Sequence, residues 1–127
     1  MKQANAKQRK WMSDITDWVD NGGMYFGGMY LLYDCECTKG IQRHHVLGRS
    51  AKHNKISIGH EFIIPVPFQY HDISEKNDLN VTYFKHNFTA RFGKQSEIFS
   101  IMYNDMKQSG YEVPSIEIYN AIMDTNA

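Results

Sequence analysis

The sequence predicts a small α+β domain in which helices surround a two-stranded ribbon, and three observations favour this class. Apolar residues recur at three- and four-residue spacing towards both ends of the chain, as they do along one face of an amphipathic helix. Two segments in the middle, 41–47 and 61–66, have the length of strands and are separated by a polar stretch. The chain has 127 residues, 42% of them hydrophobic, which suffices for one domain with its own core.

The amino-terminal residues predict a basic arm followed by a helix. Residues 1–10 contain four basic side chains and no apolar run, which predicts a flexible arm and argues against a secretory signal. A helix is expected from about Gln8, with one apolar face formed by Trp11, Ile15, Trp18 and Val19. Gly22 and Gly23 should end it, and residues 11–127 are expected to form a single domain.

The carboxyl-terminal half predicts three helices. The first is expected within 78–90 and should end at Gly93. Ser96 is a candidate cap for the second helix. The apolar stripe of that helix consists of Ile98, Phe99, Met102, Tyr103 and Met106. Ser115 is expected to begin the third helix. No run approaches the ~20 apolar residues that a membrane span needs, so no membrane partner is expected.

The central ribbon carries most of the histidines and a local excess of positive charge. Four of the six histidines lie between residues 44 and 60, and no acidic residue occurs between Glu36 and Glu61. Because the formal net charge of the chain is zero, this basic surface is local, and it favours a polyanionic partner. Imidazoles within it indicate metal binding or proton transfer near neutral pH. Together these properties predict a metal-dependent nuclease.

The adjacent pair His44 and His45 suggests a division of labour. Neighbouring residues of a strand point to opposite faces, so one metal ion is not expected to bind both side chains. One histidine would hold the ion while the other activates water. His71, which follows the second predicted strand, is the expected second ligand. The alternative is that these histidines belong only to a basic surface or to the core.

Four motifs resemble those of a known nuclease family. They are Cys35-Glu-Cys37, His44-His45-Val-Leu-Gly-Arg49, His60-Glu-Phe-Ile-Ile-Pro-Val-Pro-Phe-Gln-Tyr-His71 and Phe88-Thr-Ala-Arg-Phe-Gly93-Lys-Gln95. Over roughly residues 30–100 the chain resembles the phage recombination-enhancement nuclease (Ref-like) family. That family belongs to the HNH endonucleases, also called ββα-metal or His-Me finger enzymes. The His-His-x-x-Gly-Arg motif is the most specific part of the resemblance.

This resemblance implies a ββα-metal core at about residues 41–90 with additional packed helices. It implies an endonuclease that hydrolyses phosphodiester bonds in DNA with a divalent metal. His44 would be one metal ligand, and His71, at the start of the helical element, would be the second. His45 would be the general base that activates water. His60 would orient the loop or the base, and Arg49 would hold a phosphate. The residues expected to contact DNA are Lys39, Arg43, Arg49, Lys52, Lys55 and Lys85.

Cofactor and partners follow from the same resemblance. It implies Mg²⁺ or Mn²⁺, with Zn²⁺ as the alternative, and a role in phage or mobile-element recombination or DNA processing. It allows a recombinase filament as a partner and implies the cytoplasm of a bacterial host as the location. A homodimer would be needed for symmetric double-strand cuts. The competing hypothesis is a non-catalytic DNA-binding or zinc-stabilised interaction module on the same scaffold.

The sequence departs from the family in its cysteines, of which relatives often carry more. Cys35 and Cys37 are the only two in this chain. They are either small core residues or, together with His53 or His86, ligands of a structural zinc ion. Their close spacing disfavours a disulfide and suggests a reducing, cytoplasmic setting. Asp72 is expected either to add a metal ligand or to cap a turn.

Overall fold

The computed structural model describes residues 3–21, 32–33, 40–72, 74 and 76–127. Within these ranges the chain forms five helices and four short strands, so the predicted α+β class is confirmed. The helices are α1 (Ala6–Asn21), α2 (Phe68–His71), α3 (Lys85–Phe92), α4 (Gln95–Gln108) and α5 (Ile116–Asp124). The strands are β1 (Ile41–His45), β2 (Lys52–His53), β3 (Ile56–Ser57) and β4 (Ile63–Pro67). No helix in these ranges combines the length and apolar character needed to cross a membrane.

The central ribbon consists of β1 and β4, which pair in antiparallel orientation. Their register places Ile41 opposite Pro67 and His45 opposite Ile63, so the two predicted strands do pair. All five residues of β4 are buried, because α1 and α4 pack against this strand. The chain then passes directly from β4 into the four-residue helix α2. The histidines of β1 and the last residue of α2 are therefore held by one short structural unit.

The polar stretch between the two predicted strands, residues 48–59, contains a small hairpin that the sequence pattern did not indicate. Strands β2 and β3 pair across the two-residue turn Asn54–Lys55. Both turn residues have positive φ angles, of 50° and 67°. Consecutive positive φ angles are those of a type I′ hairpin turn, which usually carries Asn-Gly. The lysine in the glycine position explains why the pattern was missed.

Helix α1 begins at Ala6, so the flexible arm predicted for residues 1–10 is wrong from that residue onwards. Asn5 Oδ1 accepts a hydrogen bond from the Gln8 amide at 2.8 Å, and Gln8 Oε1 accepts one from the Asn5 amide at 2.9 Å. This reciprocal capping arrangement satisfies amides at the start of the helix. Gln8 Nε2 also donates to Glu61 Oε2 at 2.9 Å. The basic side chains assigned to the arm therefore project from helical turns: Lys7, Arg9 and Lys10.

The apolar faces predicted for the two long helices are confirmed. The buried residues of α1 are Trp11, Ile15 and Trp18. The buried apolar residues of α4 are Ile98, Phe99, Met102, Tyr103 and Met106. The Trp11 and Phe62 rings both pack edge-on against Phe99, with ring centroids 6.3 Å and 5.6 Å away. The core thus joins the helices to the segment that precedes β4.

Two helix starts differ from the prediction. Helix α3 begins at Lys85 rather than near residue 78, because Asn80 Oδ1 accepts hydrogen bonds from the Thr82 and Tyr83 amides and holds a non-helical turn. Ser96 lies inside α4, which begins one residue earlier, at Gln95. Ser115 does cap α5, since its Oγ accepts from the Ile118 amide at 3.3 Å.

Three residues named as candidates lie outside the described residues. They are Cys35 and Cys37, the candidate zinc ligands, and Lys39, a candidate DNA contact. The predictions for these three residues therefore stay predictions.

Candidate active site

The two adjacent histidines of β1 face opposite sides of the ribbon, as the alternation of a strand requires. The centroid of the His44 ring lies 5.2 Å from that of His71. The centroid of the His45 ring lies 5.7 Å from that of His60. The fold therefore arranges the four central histidine candidates as two imidazole pairs at the end of β1.

His71 is the last residue of α2, whereas the resemblance implied a ligand at the start of a helix. The short helix ends there because Asp72 returns to an extended conformation, while its amide donates to the Phe68 carbonyl at 3.0 Å. His71 Nδ1 makes a hydrogen bond with Gln42 Oε1. Gln42 is two residues before His44 on β1, so both side chains lie on the face that α2 approaches. This face therefore presents His44, His71 and an amide that binds one of them.

Burial and neighbouring positive charge keep the first pair neutral. Burial, followed by the charges of His71, His45 and Lys85, lowers the pKa of His44 to about 4. A hydrogen bond with the side chain of Gln95 acts to raise the pKa of His44. Burial also lowers the pKa of His71, against an opposing effect of Asp72. Since a neutral imidazole is the form that binds a metal ion, both rings are in the ligand form at neutral pH.

The second imidazole pair, His45 and His60, has the properties expected of a proton acceptor and its neighbour. Burial, followed by the charges of Arg49, His60 and Arg43, lowers the pKa of His45. Nε2 of His45 is buried and has no hydrogen-bond partner among the described residues. Such an atom in a native fold calls for an explanation, for example a bound water or a catalytic role. His60 is only 7% exposed, so its contact with the His45 ring is made in the protein interior.

An open groove of about 810 Å³ runs between α1 and β1. On the β1 side its charged and imidazole lining is formed by Arg43, His45, Arg49 and His71. The α1 side contributes Ser13, Thr16, Asp17 and Asp20. The described lining does not include His44, which faces the other side of β1 but touches His71. His71 therefore connects the imidazole pair on one face with the groove that contains His45.

Sequence reasoning missed the acidic side of this groove. Asp17 and Asp20 are three residues apart and so lie on one face of α1, away from its apolar stripe. The phenol of Tyr111 donates to Asp17 Oδ2 at 2.8 Å and holds that carboxylate in place. Helical periodicity marks such residues as polar surface, but only the packing of α1 against β1 brings them opposite the histidines.

The candidate DNA contacts that the structure describes are all exposed. They are Arg43, Arg49, Lys52, Lys55 and Lys85. Arg49 also lines a second cavity, of about 440 Å³, together with Lys52 and His60. The structure thus places Arg49 beside both His45 and His60, while Lys85 lies close enough to His44 to affect its pKa.

Asp72 and His53, two further candidates, have hydrogen-bond partners within the protein. Asp72 Oδ1 accepts from the amide of Ser74 at 2.9 Å and from its hydroxyl at 2.6 Å, so Asp72 caps a turn. His53 Nε2 lies 2.7 Å from Asp124 Oδ2, which gives it a partner on α5. His86 is exposed on α3 and lies outside the two imidazole pairs.

The donor set at His44 and His71 fits a divalent cation with an open coordination sphere. Two neutral imidazoles can bind the ion and leave positions for water and for substrate oxygens. In the part of the chain that the structure describes, no group of three or more histidine, cysteine, aspartate or glutamate side chains is placed to hold a metal. His44 and His71 therefore offer part of a coordination sphere.

Comparison of the chain with protein-family models, with curated proteins and with solved structures found no significant match. The resemblance to Ref-like HNH nucleases therefore stays a prediction. The case for a function rests on the histidine motif and on the geometry of the two imidazole pairs.

Proposed function

We propose that this chain is a metal-dependent DNA endonuclease of the HNH type, which hydrolyses phosphodiester bonds with water activated by a histidine. The observation that carries the proposal is the placement of four imidazoles at the end of β1. His44 lies against His71 on one face, and His45 lies against His60 on the other. The strand–strand–helix order of β1, β4 and α2 supports the ββα-metal interpretation, because it delivers these side chains from one short unit.

The chemistry of each residue follows from its surroundings. His45 is kept neutral by burial and by Arg49, so it can accept a proton from water in the groove that it lines. Arg49 is exposed beside it and has the planar fork that binds two oxygens of a phosphate. His60 packs against the His45 ring and restricts its orientation. Water activation and phosphate binding are thus assigned to neighbouring side chains.

His44 and His71 are the residues that would hold the cation. When bound there, a divalent cation would neutralise charge on the phosphate and on the leaving oxygen. Imidazole donors suit Zn²⁺ better than Mg²⁺, which prefers oxygen, so the two imidazoles favour Zn²⁺ over Mg²⁺. A zinc-stabilised interaction module would need four protein ligands, and the described residues around His44 and His71 provide two imidazoles.

Cleavage of supercoiled and single-stranded DNA with Mg²⁺, Mn²⁺ or Zn²⁺ tests the proposal. We expect cleavage by the wild-type protein, and a rate about 10²–10⁴-fold lower for His45→Ala, the cost typical of losing a general base. His86→Ala is the matched control, since it removes an exposed histidine outside the imidazole pairs. Both variants should retain the wild-type circular dichroism spectrum. A wild-type protein inactive with every ion, or a folded His45→Ala protein of full activity, would overturn the proposal.

A further inference from the structure

Gln42 contacts His71 and has no role in the proposed mechanism. Gln42 Oε1 makes a hydrogen bond with His71 Nδ1. The hydrogen bonds from Ser74 lower the pKa of the Asp72 carboxyl, and the side chain of Gln42 acts on that pKa in the same direction. A side-chain amide of β1 is thus bonded to the imidazole of a candidate metal ligand.

The hydrogen bond with Gln42 decides which nitrogen of His71 carries the proton. The oxygen of a side-chain amide can only accept a hydrogen bond, so the imidazole nitrogen that faces it must donate. The imidazole of His71 must therefore carry its proton on Nδ1, which leaves the lone pair of the neutral ring on Nε2.

We infer that Gln42 holds His71 in the Nδ1–H tautomer and so reserves Nε2 for a metal ion. Gln42 orients His71, so it is a positioning residue rather than a ligand. The inference rests on the proposed function for the identity of His71 as a ligand, but the tautomer itself is a property of the metal-free protein. Such outer partners fix the ring and the basicity of metal-binding histidines.

The position of Gln42 in the fold supports this role. Gln42 belongs to β1, where it pairs with Val66 of the buried strand β4. Its backbone is therefore fixed by the ribbon, while His71 is at the end of α2 and would otherwise be free to turn its ring. Asn80 Nδ2 adds a contact to the His71 carbonyl at 3.4 Å, so the backbone of this residue is also held.

The tautomer can be read directly in ¹⁵N-labelled, metal-free protein from long-range ¹H–¹⁵N correlation spectra of the imidazoles, recorded at slightly alkaline pH. The His71→Gln protein identifies the resonances of His71. We expect the wild-type His71 ring to carry its proton on Nδ1. A ring protonated on Nε2 in the wild-type protein would overturn the inference.

Two substitutions of Gln42 separate this positioning role from a merely structural one. Gln42→Leu removes the acceptor at similar volume, so the Nδ1–H fraction of His71 should fall. Gln42→Glu presents only acceptor atoms, so it should keep the Nδ1–H tautomer. Equal tautomer populations in the wild-type and Gln42→Leu proteins would also overturn the inference.

Calorimetric titration with Mn²⁺ and Zn²⁺ measures the consequence for metal binding. Gln42→Leu should weaken the affinity by about 10–100-fold, the effect usual for an outer partner of a ligand histidine. Gln42→Glu should bind both ions with an affinity close to that of the wild-type protein. A wild-type protein with the Nδ1–H tautomer and no metal binding would overturn the proposed function, while the assignment of the tautomer would stand.

Discussion

Acid should destabilise the fold through His44, and the structure sets the size of the effect. Burial and nearby positive charge lower the pKa of this side chain to about 4, against 6.5 for an ordinary histidine. Between these two pH values the unfolded chain binds a proton at His44 that the folded chain excludes. The free energy of unfolding therefore falls as the pH falls from 6.5 towards 4, and it is unaffected by this residue above 6.5.

The expected loss follows from the two pKa values. Each pKa unit between the two values corresponds to about 1.4 kcal/mol of unfolding free energy once the pH lies below both pKa values. The limiting loss of stability is therefore about 3 kcal/mol. At about pH 5 the unfolded-state histidine is almost fully protonated and the folded one almost fully neutral. There the linkage relation gives a loss of about 2 kcal/mol relative to about pH 7.5. This is a large part of the stability of a small domain.

Urea unfolding at the two pH values measures this loss. His45 and His71 also have lowered pKa values and act in the same direction, so the comparison is with His44→Gln, which cannot be protonated. We expect the His44→Gln protein to lose about 2 kcal/mol less than the wild type on acidification. His86→Gln, at an exposed position, is the control and should behave as the wild type. An equal loss in the wild-type and His44→Gln proteins would refute the burial argument.

Two further predictions concern the loop that carries Arg49. Arg49→Ala should lower kcat in single-turnover cleavage without changing the melting temperature, because Arg49 is exposed and lines the groove beside His45. Arg49→Lys should restore only part of the lost kcat, since lysine cannot make two parallel bonds to a phosphate. An equal effect of Lys55→Ala would show that only general charge matters. Gly59→Ala should destabilise the fold by about 1–3 kcal/mol or more in urea unfolding, because a Cβ atom would lie 2.2 Å from the Arg49 carbonyl oxygen. A Gly59→Ala protein of wild-type stability would contradict this close packing.

The parts of the fold that the sequence predicted are those with strong local periodicity. Trp11, Ile15 and Trp18 recur at helical spacing, and all three are buried. The strand pair was predicted because its two segments are bounded by polar and glycine-containing stretches. The opposite orientation of His44 and His45 followed from strand geometry alone. These features depend on a few neighbouring residues, so they can be read before any tertiary contact is known.

Most of the features that were missed depend on contacts between distant segments. The start of α1 is an exception, because the capping pair Asn5 and Gln8 is visible in the sequence, but the four basic side chains of residues 1–10 suggested an arm. The turn before α3 is fixed by the side chain of Asn80, which also reaches the carbonyl of His71. Gln42 gave no sequence signal at all. A glutamine in a strand usually faces solvent, and only the return of the chain through α2 gives it a histidine as a partner.

The two sides of the groove restrict how a polyanion would enter it. Asp17 and Asp20 line the α1 side, whereas Arg43 and Arg49 line the β1 side. At physiological ionic strength charges act over about 8 Å, so a phosphate in the groove would be repelled by the two aspartates and attracted by the two arginines. A DNA backbone would therefore follow β1, past His45 and Arg49, and direct its sugars and bases towards α1. The basic surface predicted from the sequence is one side of the candidate site, and under the proposed function the acidic side would provide the asymmetry that orients the DNA strand.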